Sequence, residues 1–393
     1  MPRRALPLVL ALSCLPVAGL AQSQCGAPVA EFRAGLVEEA TTLGIDEATA
    51  RAFVTGLRID DSVIAADRRQ GVFQRDFIDF SRMLISQNRI DNARRNADRY
   101  AETFDRIEAE YGVPRGVLLA FWAFETDFGQ VQGDFNTANA LFTLAHDCRR
   151  PELFRPQIFA AMQLFARGDF DPATTTGAWA GEIGQVQMLP GDIIENGVDG
   201  DGDGRVTLKT SAIDALMSGG KMLQSLGWRA GEPWLQEITV PDDLDWRLTG
   251  LHMKQSVDAW AALGIEGRSA PLGPAALEAS VLLPMGRNGP AFIAYPNFEV
   301  YFEWNQSLVY VTTAAYFATR IMGAPVYDAG NPDPGLSGDE VEALQAKLAE
   351  RGHDVGGIDG ILGAMTRAAV RAEQERLGLP ADAWPTRELL DLL

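Results

Sequence analysis

The chain has 393 residues, 47% of them hydrophobic, enough for a large buried core shared among two or three domains. A formal charge of −19 argues against nucleic acid and anionic lipid as partners, because so acidic a surface repels both. Beyond the first residues no apolar run approaches the roughly eighteen that a membrane-spanning helix needs, so the mature chain is expected to have no transmembrane segment.

Residues 1–21 place Arg3 and Arg4 ahead of an apolar stretch that ends in the small residues Gly19 to Ala21, the pattern of a cleaved secretory signal. A lipid anchor at Cys14 is the alternative reading, although Ala11 stands where a lipobox calls for Leu. Cleavage would remove Cys14 and leave Cys25 and Cys148. In an oxidising compartment an even pair reads as a disulfide, here joining the mature N-terminus to a segment far along the chain; two free buried thiols are the other reading.

Residues 25–111 carry helical patterning and finish in a long charged amphipathic run, NARRNADRYAETFDRIEAEYG, before Gly112 and Pro114 interrupt it. The next stretch, GVLLAFWAFETDFG from Gly116 to Gly129, sets Leu118, Phe121 and Trp122 at i, i+3 and i+4, and the i+7 position of the same stripe is Glu125. With Gly129 as the expected stop, Glu125 falls in the last helical turn, where the negative end of the helix dipole disfavours a carboxylate. Desolvation by Trp122, Phe121 and Phe128 pushes the same way, toward a carboxylic acid that keeps its proton near neutrality. That is the profile of a general acid, although a helix-end acid paired to an Arg or a cap would share the stripe.

Helical patterns follow at Asn136–Leu144 and 154–168, joined by a link that carries His146, Cys148, Arg149 and Arg150. The two arginines read either as solvated side chains or as a site for acidic or hydroxyl-rich groups. Residues 174–192 are neither cleanly helical nor a strand; the small residues Gly177, Ala178, Ala180, Gly181 and Gly184, with Gln185 and Gln187, suit the wall of a groove for a ligand rich in hydroxyls and amides. Asp199, Asp201, Asp203 and Gly204 spell D-x-D-x-D-G, the first half of an EF-hand loop, and read as a site for bound Ca²⁺, with an exposed acidic turn as the other reading. Arg205 would offer its carbonyl at position 7; Thr210 stands where the closing Glu belongs, and Asp214 is the nearest acid able to close the cage.

Residues 210–227 are helical, 235–290 suggest a small β-containing insertion, and Tyr295–Ile321 returns to helix with Trp304, Asn305 and Tyr310, which read as core residues or as a sugar-stacking platform. A Pro/Gly-rich linker at 327–335 precedes residues 336–393, read as three short helices separated by Gly-rich turns.

The ordered set Glu125-Thr126 with Gly129, WAGEIGQVQMLP, DGDGDG and NFEVYFEWNQSLVY resembles the lytic murein transglycosylase B family of peptidoglycan-cleaving enzymes, and GGIDGILGAMTRAAV in the tail resembles an appended peptidoglycan-binding domain. The resemblance implies a mainly α fold: a goose-lysozyme-like helical catalytic domain over residues 25–326, including an EF-hand-like loop at 199–214, and a three-helix binding domain at 336–393. It also implies that Glu125 is the sole catalytic acid/base. Arg149, Arg150, Gln187, Trp304, Asn305 and Tyr310 would line the substrate groove, and Asp199, Asp201, Asp203, Arg205 and Asp214 would form a calcium loop. The expected partners are peptidoglycan glycan strands in the periplasm and complexes of cell-wall synthesis or division. A hydrolytic muramidase using Glu182 or Asp127, or a non-catalytic wall-binding protein, are the alternatives. Departures from the family pattern are Ala178 in place of Ser, Trp304 in place of Tyr, Met222 in place of an aromatic, Glu182 in place of a small residue, and Glu373 in place of an aromatic in the tail.

Overall fold

The computed structural model describes residues 25–68 and 75–393, so the expected secretory signal at 1–21 and Cys14 lie outside the described residues. Helices α1 (Val29–Thr42), α2 (Glu47–Val54), α3 (Asp61–Asp67), α4 (Phe77–Leu84), α5 (Gln87–Arg99) and α6 (Ala101–Tyr111) lead to α7 (Arg115–Thr126). Then come β1 (Phe135–Asn136), α8 (Thr137–His146), α9 (Pro151–Arg167), β2 (Thr176–Gly177), α10 (Pro190–Asn196) and α11 (Ala212–Ser225). The expected insertion is an antiparallel sheet of β3 (Leu235–Thr239), β4 (Lys254–Ser256), β5 (Glu266–Gly267), β6 (Glu278–Leu282) and β7 (Phe292–Ala294), in the order β4-β6-β7-β3-β5, with α12 (Val257–Ala262) between β4 and β5 in sequence. Val281 pairs with Ile293 across β6 and β7, and Ile238, Trp260, Val281, Ile293 and Tyr295 give this sheet a core of its own. Helices α13 (Pro296–Trp304) and α14 (Leu308–Ile321) return to the main body, and α15 (Gly338–Glu350), α16 (Ala364–Leu377) and α17 (Arg387–Leu392) make the tail.

Helix α7 is more deeply placed than its stripe suggests. Every residue from Gly116 to Ala123 is buried, so the helix is apolar on all sides and runs through the centre of the main core. Burial of Phe121 and Trp122 stabilises this placement by about 2–3 kcal/mol each. At Gly116 a β-carbon would lie 2.6 Å from Met322 Cγ and 3.0 Å from the Ala318 carbonyl, so the missing side chain lets α14 cross close to α7. The helix also ends earlier than Gly129: Thr126 is its last residue, and Asp127 (φ 50°) and Phe128 (φ 61°) already take the left-handed conformation.

Two stretches that read as continuous are divided. The charged run before Gly112 turns at Tyr100, which flanks both α5 and α6 and meets Trp122 edge-on at 5.6 Å. The stretch Tyr295–Ile321 is broken at 305–307, where Asn305 is extended and accepts a bond from the Ser307 N–H, while the Ser307 side chain caps α14. Asn and Ser compete with helical bonding through their own side chains, which explains the break.

Cys25 and Cys148 are joined by a disulfide, with Cα atoms 5.2 Å apart, and the Gly26 N–H adds a 2.9 Å bond to the His146 carbonyl. In the tail, Leu344, Leu348, Val370 and Leu389 form a separate core. Helix α16 fastens that core to the sheet region, with Arg367 donating to the Pro284 carbonyl at 2.6 Å and Arg371 to the Thr249 carbonyl. Glu373, where an aromatic was expected, is buried and accepts from His353 Nε2 and Arg376 Nε, both at 2.8 Å, so an ion-paired hub occupies that position.

Candidate active site

Glu125 occupies the last turn of α7, half-buried, and the break between α13 and α14 determines what surrounds it. Trp304 ends α13 and donates its indole N–H to Glu125 Oε1 at 3.1 Å. Tyr310 lies in the first turns of α14, and its hydroxyl donates to the same oxygen at 2.5 Å. Oε2 is left without either donor. Trp304 is itself held by stacking on Phe121 at 4.3 Å, and Phe121 stacks in turn on Tyr301 at 5.0 Å. Burial pushes the Glu125 carboxyl above the ordinary carboxylate range, and the Tyr310 and Trp304 bonds, which favour the anion, oppose that push without cancelling it. Burial, then the neighbouring Glu125 charge, raises Tyr310 well above its usual range, so it stays a hydrogen-bond donor.

The segment 176–188 forms the facing wall. Gln185 latches it to α7: its carbonyl accepts from Thr126 Oγ1 at 2.6 Å, and its Oε1 accepts from Trp122 Nε1 at 3.1 Å. Thr126 Oγ1 also accepts from the Gly129 N–H at 2.9 Å, which explains the Thr after Glu125 and the early turn. Gln187 has φ 53° and spends its amide on the Gly184 carbonyl at 2.8 Å, holding the wall's own turn. Glu182 projects from this wall, and its Oε2 is buried with no hydrogen-bond partner among the described residues. Asp127, the other acid near Glu125, pairs with Arg89 at 3.2 Å.

Arg149 and Arg150 both pair with Asp67, a buried acid at the end of α3, while their own side chains remain 45% and 37% exposed. Their guanidinium groups are thus held in place by the fold and still reach solvent. A cleft of about 780 Å³ is lined by Trp304, Asn305 and Ser307 from the main body and by Gly360, Gly363 and Arg367 from the tail; Glu125 is not among its walls.

In the acidic loop, carboxylate oxygens of Asp199, Asp201 and Asp203 lie within 4.8 Å of one another. Asp214 stands apart from them: fully buried at the start of α11, it accepts from the Gly200 and Thr207 N–H groups at 2.9 and 2.8 Å and so organises the loop from beneath. The Arg205 side chain donates to the Gly168 carbonyl.

Residues 29–319 match the transglycosylase SLT domain family. The chain belongs to this family. Residues 337–393 match a second family, described as a peptidoglycan binding domain. Among solved structures, SltB3 from Pseudomonas aeruginosa in complex with NAG-anhNAM-pentapeptide is 34% identical, with a TM-score of 0.84 over 93% of this chain and 99% of that one. Membrane-bound lytic murein transglycosylase B of Escherichia coli is 25% identical over 232 residues, which cover 59% of this chain and 63% of that protein. The Escherichia coli lytic transglycosylase Slt35 in complex with calcium shares the fold, with a TM-score of 0.64 and 23% identity over 77% of this chain and 96% of that one. The SLT-family body with its lysozyme-like helical architecture, small antiparallel sheet and helical tail agrees with the fold class expected from the motifs.

Sequence reasoning did not find Asp67 or the role of Ser307. Asp67 carries no local signal, because its partners lie about eighty residues away. Ser307 had one, since Asn-Gln-Ser inside an apolar helical pattern is a cap signature.

Proposed function

We propose that this SLT-family protein is a peptidoglycan lytic transglycosylase that cuts the bond between N-acetylmuramic acid and N-acetylglucosamine with Glu125 as its acid and base. The observation that carries the reading is a desolvated carboxyl group whose two donors both sit on Oε1, leaving Oε2 to carry a transferable proton. Glu125 protonates the glycosidic oxygen as the C1–O bond breaks, and the N-acetylglucosamine leaves as an alcohol. The muramoyl 6-hydroxyl then closes on C1 and its proton returns to Glu125, giving a 1,6-anhydro end without consuming water. An internal nucleophile has a high effective concentration, so the second carboxylate that most glycosidases use to attack or to activate water is not required.

Arg149, Arg150, Gln187, Asn305, Trp304 and Tyr310 would bound the sugar groove, with Trp304 and Tyr310 acting first on the Glu125 carboxylate. The tail would hold glycan strands, and its Gly360–Ala364 turn opens on the cleft shared with Trp304 and Asn305. Asp199, Asp201 and Asp203 suit Ca²⁺, with Arg205 supplying a carbonyl and Asp214 tying down the loop: at this spacing each pair of carboxylates repels by about 1 kcal/mol even in water, which a divalent cation reverses. Bound there, calcium would supply rigidity to the loop preceding α11. A secretory signal at 1–21, a periplasmic location and recruitment into cell-wall complexes complete the proposal.

The test is digestion of purified sacculi with mass spectrometry of the products. Wild type is expected to release 1,6-anhydromuropeptides, and Glu125→Gln to release none while still sedimenting with sacculi. Equal release by both proteins would remove Glu125 from the mechanism; reducing ends without anhydro ends would make the enzyme a hydrolase.

A further inference from the structure

We propose that the cleft between the main body and the tail is a subsite for the peptide stem of peptidoglycan, with Arg367 and Arg371 of α16 holding a stem carboxylate. This subsite rests on the transglycosylase reading and deepens it, since that reading places the sugars and leaves the peptide without a site.

The cleft, about 780 Å³, has the volume of a site for a ligand of a few residues. Its walls are fixed, because the tail is locked where it stands. A β-carbon at Gly286 would lie 2.7 Å from Trp384 Cβ, and one at Gly335 would lie 2.7 Å from Trp384 Cζ2, so that indole is wedged between the sheet region and the linker. The Trp384 indole N–H donates to the Asp333 carbonyl at 2.9 Å, and Asp382 pairs with Arg287 at 3.2 Å. Trp304 belongs to both sites: its indole N–H lies on Glu125 Oε1 at 3.1 Å, and it is one of the walls of the cleft. The muramic acid whose 6-hydroxyl closes on C1 must sit at Glu125, so a stem carried by that sugar starts beside Trp304.

The chemistry of the lining favours the peptide over the sugars. Arg367 lies over the Trp384 ring at 5.5 Å and donates to the Pro284 carbonyl at 2.6 Å. Arg371 donates to the Thr249 carbonyl, in a space that a β-carbon at Gly250 would narrow to 2.9 Å from its Nη1. These partners are neutral. Carbonyl oxygens occupy donors without offsetting charge, and among the described residues neither arginine forms an ion pair, while Arg367 Nε has no hydrogen-bond partner at all. The acids on the cleft walls are committed or solvated: Asp382 is held by Arg287, Asp76 caps α4 by accepting from the Asp79 N–H at 2.8 Å, and Asp79 is exposed. N-acetylglucosamine is uncharged, and the carboxyl of muramic acid is spent in the amide that carries the stem, so the free carboxylates of the substrate are all in the peptide. A guanidinium with unspent donors and unbalanced charge suits such a group. Leu251, Leu283, Leu308 and Val309 give the cleft apolar surface for the methyl groups of the stem alanines.

The experiment is an NMR titration of the full chain that follows the indole N–H signals of Trp304 and Trp384. The ligand is a synthetic stem pentapeptide, L-Ala–D-Glu–L-Lys–D-Ala–D-Ala, added as the free acid or with its carboxyl groups amidated. The free acid is expected to shift both signals saturably, and the amidated peptide to bind about tenfold or more weakly, since a charge-assisted hydrogen bond is lost. Arg371→Gln should bring the free acid down to the affinity of the amidated peptide, and Arg371→Lys, which keeps the charge, should recover part of the difference. Equal affinities for the two peptides, or no shift of either signal, would overturn the subsite, as would an Arg371→Gln protein that still prefers the free acid. The comparison between peptides uses the wild-type protein and no turnover, so it decides the subsite even if Arg371→Gln undocks the tail or Glu125 proves not to be the catalytic acid.

Discussion

Replacing Tyr310 with Phe removes a single hydroxyl and leaves the ring that packs beside Phe124. That hydroxyl gives Glu125 its shortest bond, 2.5 Å to Oε1, and in the proposed mechanism the bond matters most when Glu125 is an anion, just after it has passed its proton to the glycosidic oxygen. A hydrogen bond to a charged group contributes about 1.5–3 kcal/mol, which corresponds to about a ten- to 150-fold change in rate. Glu125 opens partly to solvent, so the lower part of that range is expected, about ten- to thirtyfold in kcat, with KM little changed. The alkaline limb of the profile should move to higher pH, because the anion has lost a stabilising donor. Initial rates of anhydromuropeptide release, measured across pH by chromatography and mass spectrometry, read both quantities. A kcat within about twofold of wild type would refute the argument that Tyr310 acts through Glu125. A raised KM with kcat intact would make it a substrate contact instead.

Glu125→Gln should also change stability in a pH-dependent way. Burial raises the folded pKa of Glu125 above its unfolded value of about 4.3, so its contribution is fully present below that value and is lost as pH rises through the raised one. Thermal melts of the variant and wild type should therefore lie close at about pH 4 and separate in favour of the variant at about pH 8; parallel curves would contradict the burial argument. Treatment of calcium-loaded protein with a chelator should lower Tm, since a ligand held only by the folded state stabilises it, about 2.7 kcal/mol at a hundredfold excess over Kd. An unchanged Tm would count against the Asp199, Asp201 and Asp203 site. The Cys25–Cys148 disulfide closes a loop with a sequence separation of 123, and replacing both cysteines with Ser should cost about 2–4 kcal/mol in urea unfolding. An unshifted midpoint would mean that the bond between Gly26 and His146, with that between His146 and Ala27, suffices to hold the N-terminus.

Local chemistry was legible in the chain alone. The i, i+3, i+4, i+7 stripe located Glu125 at the end of an apolar helix, and the alternating aspartates at 199–203 located the acidic loop, because both signals repeat within a few residues. The mainly helical architecture and the small sheet followed from periodicity and from motifs in a recognisable order. What surrounds Glu125 was decided elsewhere. Trp304 and Tyr310 are 179 and 185 residues away from it, and they meet one oxygen only because α13 stops at Asn305 and α14 crosses closely at Gly116. Arg149 and Arg150 are fixed by Asp67, and the wall formed by 176–188 is latched to α7 through Gln185. Periodicity records which face of a segment turns inward, but not which distant side chain arrives there. The pKa of a buried acid depends on those arrivals, so the sequence determined where the acid is, and tertiary packing determined how it holds its proton.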